Sequence, residues 1–396
     1  MRGLTTTVRR FGGFDRKQFG FRRSHHGSFP ALFVRGGTSN GLVIRADVLP
    51  AKTEWQPILA RAMGSPDPFG RQLDGMGSGI SSTSKICVIE PSGRQDADVD
   101  FTFVQVGVKD GVLDMAGNCG NLSSIVGPCA FDWGFLKNTD KAMTRTTDDG
   151  RILMRIFNTN TNKIIHSRFS THGQPPRFQP GGDYEMDGVP ARGSRITLSF
   201  LDPAGAKTGK ALPTDLPIDV LSLADGTSIP ASLVDVANPG VFVRVDDLGI
   251  ENFASIGPEM IDADVQLRSR LEAIRQEGAV MMGLDPATES VPKIVLLFPE
   301  GTDPGVDIKC QAMSMGQPHK AVPLTLALCL GAAANIPGTL AAQLVKDRDL
   351  RGDGTVTIGH PSGQVDIGTT TTLDGRILSS DFHRTARVMM KGEVLY

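Results

Sequence analysis

The 396 residues carry 41 basic and 43 acidic side chains, a formal net charge of -2, so no cationic excess exists to neutralise a nucleic-acid backbone, and nucleic acid is excluded as a partner. A chain of this length exceeds what one hydrophobic core usually fills, so two domains are expected. The longest apolar candidate, Ala321 to Ala334, falls short of the ~18 residues a membrane span requires and contains Pro323 and Thr325. A membrane is therefore not expected as a partner either.

In chain order, residues 1–29 form a basic extension, with Arg2, Arg9, Arg10, Arg16, Lys17, Arg22 and Arg23 against the single acid Asp15. The segment reads either as a mitochondrial transit peptide or as a disordered extension, because Gly12, Gly13 and Gly20 spoil an amphipathic helix. The protein is expected in the mitochondrial matrix in the first case and in the cytoplasm in the second. The fold should begin with a strand at Ala31 to Val34. Strand alternation is clear at Val99 to Phe103, Arg195 to Phe200 and Thr355 to Ile358, whereas Lys293 to Phe298 reads as buried on both faces.

Two amphipathic helices are marked by Trp55, Ile58, Leu59 and Met63, and by Leu267, Leu271, Ile274 and Gly278. Two further helical stretches, Leu122 to Phe131 and Ala321 to Ala334, lack a charged face and must be surrounded by protein. Each follows strands and a Gly-containing loop, GNCGN at Gly117 to Asn121 and SMGQPHK at Ser314 to Lys320. The chain thus repeats one unit, a curved sheet around a central helix whose N-terminus points at a polar loop. The Pro/Gly-rich stretch from Asp202 to Thr214 is the boundary, giving domains at 30–205, with 385–396 returning to the first, and at 206–384.

Several residues could carry chemistry. The loop GGTSNG, Gly36 to Gly41, offers Thr38 and Ser39 among glycines whose amides could face an anion, although, taken alone, a plain hairpin turn accounts for it better. The glycines of Asp74 to Lys85 are not a phosphate loop, since Ile86 follows the lysine where Ser or Thr is needed. Lys85 stands where a Ser-rich loop meets the apolar run Ile86-Cys87-Val88-Ile89, and desolvation there would lower its pKa towards that of a general base; a salt bridge at a strand end is the plainer role. Cys119 lies at the start of a buried helix, where the helix end favours a thiolate or a bound carboxylate. Cys87, Cys129, Cys310 and Cys329 read as core residues, and no C-x-x-C or histidine spacing suggests a disulfide or a metal site. The corner Met313 to His319 has no cysteine, so acid/base groups should sit in the first half and binding groups in the second.

RGGTSNG at Arg35 to Gly41, SSTSK at Ser81 to Lys85, GNCGN, DPAGAKTGKALPT at Asp202 to Thr214, SMGQPHKA at Ser314 to Ala321, GHPSG at Gly359 to Gly363 and RTAR at Arg384 to Arg387 together resemble the PrpF family. That family includes 2-methylaconitate cis-trans isomerase, methylitaconate Δ-isomerase, 4-oxalomesaconate tautomerase and aconitate Δ-isomerase. The resemblance implies an α+β, diaminopimelate-epimerase-like fold of two similar domains, each a mixed β-sheet wrapped around a central helix, with the site in the cleft between them. It implies an isomerase that needs no cofactor and moves a proton, and with it a double bond, within a small di- or tricarboxylate; a homodimer is a further expectation. It also implies that Lys85 is the proton-transferring base, that Cys119 lies beside the substrate and that Ser39 contacts it; Lys85 and Cys119 are the expected catalytic residues, Cys119 either donating the second proton or simply shaping the pocket. The expected binding set is Arg35, Thr38, Ser39, Ser84, Gly120, Asn121, Ser314, Met315, Gly316 and His319. One departure stands out: Asn40 replaces the Lys or Arg usual after the motif's serine, which points to a differently charged or longer substrate, or to a non-catalytic polycarboxylate-binding accessory protein of the same fold.

Overall fold

The computed structural model describes residues 27–136, 146–250, 257–299, 305–345 and 354–396. The expected basic extension falls outside the described residues up to position 26, and a strand is already under way at Ser28. Among the described residues the helices are α1 (Trp55–Met63), α2 (Gly120–Asp132), α3 (Pro258–Ala263), α4 (Val265–Met281), α5 (Leu324–Ala334) and α6 (Leu340–Val345). None is long and apolar enough to cross a membrane.

The strands show the duplication directly. In the first unit they lie side by side in the order Ala386–Leu395, Ser28–Gly36, Ser39–Arg45, Lys85–Pro91, Val99–Val106, Ile152–Asn158, Lys163–Phe169 and Ile196–Leu201. Successive neighbours are antiparallel except Ser39–Arg45 with Lys85–Pro91 and Val99–Val106 with Ile152–Asn158, which are parallel. The second unit runs Asp219–Ser222, Ser228–Val236, Asn238–Arg244, Lys293–Phe298, Ile308–Ser314, Val356–His360, Gly363–Thr371 and Ile377–Arg384, with parallel pairs at the same two places. The two sheets join edge to edge, Ile196 pairing with Arg384 and Leu201 with Ser379. The result is one ribbon of two mixed sheets.

Each sheet wraps a helix without a polar face. Leu122, Ile125 and Val126 of α2 and Leu326, Leu328 and Leu330 of α5 are fully buried in one continuous core, each contributing about 1.5–3 kcal/mol through the apolar surface it removes from water. Both helices approach the sheet through a glycine at the eighth position. A Cβ on Gly127 would stand 2.6 Å from Ser167 Oγ, and one on Gly331 would stand 2.5 Å from Ile367 Cγ2. The amphipathic helices cover the outer faces, α1 through Trp55, Leu59 and Met63 and α4 through Leu271 and Ile274.

One open alternative closes and two local expectations need correction. The loop around Thr38 is a tight hairpin turn, since Gly36 pairs with Ser39 and only Gly37 and Thr38 lie between the strands. The second central helix begins at Leu324 and not at Ala321, because the ring of Pro323 drives the preceding residues out of helical geometry. Gly316, expected near that helix start, instead lies in a turn between Ser314 and Gln317, where Met315 and Gly316 both have positive φ (54° and 68°). The connector after Asp202 is tied to the second unit. Asp235 is buried, and its Oδ2 accepts from the Lys207 and Thr208 amides at 2.7 Å each.

Candidate active site

The first turns of α2 and α5 meet at the centre of the molecule. A Cβ on Gly120 would lie 3.1 Å from Leu324 Cβ, and Thr325 Oγ1 donates to the Asn118 carbonyl at 3.4 Å. Aligned peptide dipoles give each helix start a partial positive charge, so two such ends face one small volume. The crevice there is lined from the first unit by Ser39, Ser81, Lys85, Phe103, Gln105, Asp114 and Gly117 to Asn121. From the second it is lined by Ser290, Lys293, Ser314, Met315, His319 and Pro323 to Thr325.

Cys119 caps α2. Its backbone is extended, which ends the helix, and its sulfur accepts the Leu122 amide at 3.5 Å. Lys85 opens its strand directly opposite Gln105 on the neighbouring one, and its Nζ donates to Gln105 Oε1. The amide of Gln105 is itself fixed, Nε2 donating to the carbonyls of Ser84 at 2.9 Å and Ser81 at 3.2 Å. The Phe103 ring lies beneath the ammonium, 5.2 Å from centroid to nitrogen. Part of the lysine chain remains open to the crevice while protein crowds its nitrogen. Burial lowers the Lys85 pKa, against weaker opposing pulls from Cys119, Cys87 and Asp114.

The sequence reading missed a second lysine. Lys293 opens the strand equivalent to that of Lys85, its side chain is buried, and its Nζ donates to the Ser290 carbonyl. Burial first, and then the charge of Lys85, pull its pKa down to about 8, with Asp114 and Cys119 opposing. The signal was present in the sequence: Lys293 precedes a continuous apolar run just as Lys85 does. Asp114 lies between the two amines electrostatically, since it favours the charged form of each. Two polar atoms of the lining, Asn118 Nδ2 and Ser290 Oγ, are buried with no hydrogen-bond partner among the described residues, as groups that await a polar ligand would be.

Of the expected site residues, Lys85, Cys119, Ser39, Gly120, Asn121, Ser314, Met315 and His319 line the crevice, and Arg35, Thr38, Ser84 and Gly316 do not. Arg35 turns away to its own loop, Nη1 donating to the carbonyls of Gly37 and Thr385 at 2.9 Å each. Thr38 Oγ1 accepts from Asn121 Nδ2 at 3.1 Å, and so acts on the crevice through Asn121. Ser84 is fully buried; its hydroxyl donates to Val106 O at 2.8 Å and accepts from Gln72 Nε2 at 2.7 Å. His319 is held with Nδ1 2.7 Å from Ala321 O, and burial lowers its pKa to about 4, so it is a neutral hydrogen-bonding group. The five cysteines are all buried and unbridged, and burial pushes the thiol of Cys310 up to about 12 and those of Cys87, Cys129 and Cys329 upward as well.

Known proteins resemble this chain in sequence and fold. A crystal structure of methylitaconate-delta-isomerase superposes with a TM-score of 0.71 at 34% sequence identity, covering 94% of this chain and 96% of that one. The 3-methylitaconate isomerase of Eubacterium barkeri is 36% identical over 384 residues, 92% of this chain and 96% of the relative. The 2-methyl-aconitate isomerase of Cupriavidus necator is 33% identical over 396 aligned residues, with the same two coverages. The family description "PrpF protein" matches residues 27–396, the whole of the duplicated fold, and the chain belongs to the PrpF family.

Proposed function

We propose that this chain is an isomerase that shifts a double bond, or inverts its geometry, within a small unsaturated polycarboxylic acid of the aconitate, methylaconitate or itaconate type. The observation that carries the reading is the pair Lys85 and Lys293, two desolvated amines from equivalent strands facing one crevice at the meeting point of two helix N-termini.

Neutral Lys85 takes an allylic proton next to a carboxylate. The C–H electron pair enters the conjugated system, giving a dienolate-like anion whose charge the helix starts at Gly120 and Leu324 disperse. The Lys293 ammonium returns a proton at the far carbon, and the double bond has moved. Where the proton instead goes back to its original carbon after rotation within the anion, the outcome is cis-trans isomerisation. One amine gains a proton as the other loses one, and exchange with solvent resets the pair. Cys119 fixes the start of α2 and packs beside the reacting carbons. Substrate carboxylates take the unpartnered donors of Asn118 and Ser290, together with Ser39 and Ser314.

The test follows substrate protons by NMR in deuterated water with aconitate, methylaconitate and itaconate-type acids. The wild type should exchange the allylic proton and isomerise, Cys119→Ser should retain both reactions at reduced rate, and Lys85→Ala should lose exchange. Full exchange in Lys85→Ala would remove Lys85 as the base. Ligand-induced thermal stabilisation without exchange in the wild type would identify a non-catalytic binding protein.

A further inference from the structure

The duplication brings one more polar side chain to the crevice. The third strand of each unit, Ser39–Arg45 and Asn238–Arg244, runs seven residues and pairs in parallel with the strand that opens on a lysine. Leu42 stands beside Ile86 in the first pair and Val241 beside Ile294 in the second, so the residues directly after Lys85 and Lys293 have matching neighbours. Counting back three positions from Leu42 and from Val241 reaches Ser39 and Asn238, the first residues of their strands. Asn238 therefore occupies in the second unit the position that Ser39, which lines the crevice, occupies in the first.

Asn238 has the marks of a group that awaits a ligand. It is fully buried, and among the described residues neither Oδ1 nor Nδ2 has a hydrogen-bond partner. Buried side-chain amides are nearly always paired, because stripping both ends of water without replacement is unfavourable. The turn before it is strained as well. Ala237 alone separates Val236 from Asn238, at a φ of 60° that disfavours any residue with a Cβ, and Pro203 O holds it by accepting the Ala237 amide at 2.8 Å.

Gly117 leaves space in front of this amide. A Cβ there would meet nothing closer than 3.6 Å, and its nearest neighbours would include Asn238 Oδ1 at 3.6 Å and Ser290 Oγ at 4.0 Å. Gly117, Ser290 and the adjoining Asn118 all line the crevice. The corner thus gathers three unused donors, Asn238 Nδ2, Asn118 Nδ2 and Ser290 Oγ, against one unused acceptor, Asn238 Oδ1. An excess of donors suits an anion.

We propose that Asn238 is a substrate-binding residue that selects for a carboxylate, holding with Ser290 and Asn118 the carboxyl group at the end of the substrate that Lys293 reprotonates. The amide turns Nδ2 into the corner, free to do so because nothing bonds either end. Ser39 holds the other end, so an amide at one position and a hydroxyl at its counterpart give the crevice a direction, and one end of an unsymmetrical acid is told from the other. The choice of ligand rests on the isomerase reading.

Isothermal titration calorimetry on the full chain with aconitate and its three monoamides tests the proposal, with proton exchange into deuterated water followed on the same samples. Urea denaturation is the folding control. Asn238→Leu keeps the volume and removes an unpaired polar group, so its midpoint should not fall. Gly117→Ala, whose methyl occupies the corner, is the second variant. Each should raise the aconitate Kd roughly tenfold or more, the loss expected when a charged hydrogen-bonding group loses its partner. For the one monoamide that lacks the charge Asn238 meets, the difference between wild type and variant should vanish. Unchanged aconitate binding in either folded variant, an equal loss across aconitate and all three monoamides, or a wild type that binds none of these acids would each overturn the proposal. A wild type that binds aconitate without exchanging its protons, with the loss in Asn238→Leu intact, would refute the isomerase reading and leave the carboxylate site standing.

Discussion

The two lysines share one crevice, so their titration should be visible in the rate. The doubly charged pair at low pH offers no neutral amine to act as base, and the donor ammonium of Lys293 is lost as pH rises through about 8. Because the reaction needs Lys85 neutral and Lys293 charged at once, kcat/KM should rise and then fall with pH, passing through a maximum. The perturbation is Lys85→Met, measured on the titration of the remaining amine. The Lys85 charge is the second-largest cause of the depression at Lys293, after burial, so its removal must move Lys293 upward from about 8 while burial keeps it below an exposed lysine. The assay is kcat/KM against pH for the wild type, together with NMR of reductively methylated Lys293 in both proteins. A rate flat between pH 6 and 9, or a Lys293 titration that stays put or falls when Lys85 is gone, would refute the coupled-pair reasoning.

Gln105→Glu should place a carboxylate on the Lys85 ammonium, stabilise its charged form and move the ascending limb of the rate profile to higher pH; a shift to lower pH would contradict the contact between them. Cys119→Ser retains a side-chain acceptor for the Leu122 amide, so its thermal midpoint should fall by no more than the equivalent of ~1 kcal/mol, and a greater loss would mean that the sulfur does more than cap. Gly331→Ala drives a methyl against Ile367 and should cost ~1–3 kcal/mol in urea denaturation, with a similar cost for Gly127→Ala against Ser167. Free accommodation of both alanines would show that the helix-to-sheet spacing is looser than described.

Much of this was legible in the residues. The apolar helices announced themselves by lacking a charged face, which forced a surrounding sheet, and the motif pair of Lys85 and Cys119 pointed at the crevice that both line. What failed to show was partnership at a distance. Arg35 looks like a carboxylate ligand in a Gly-rich loop, yet its guanidinium is committed to the Thr385 carbonyl, 350 positions away. Ser84 looks like part of a hydroxyl-rich site, yet it is consumed by Gln72 and Val106 within the core. Lys293 escaped notice because a single cation before five buried residues reads as a strand boundary. Only the matched strand order reveals that it stands where Lys85 stands. The short pairs at Thr171–His172 with Arg177–Phe178 and at Tyr184–Met186 with Val189–Gly193 lacked alternation long enough to signal a strand.

The seam between Ile196–Leu201 and Ile377–Arg384 constrains how substrate can enter. A backbone ladder resists sliding and pulling apart but yields to twist, so the halves behave like the covers of a book bound along a spine. Substrate then enters away from that spine, on the side where the Met315 turn and the Ser81 segment both line the crevice.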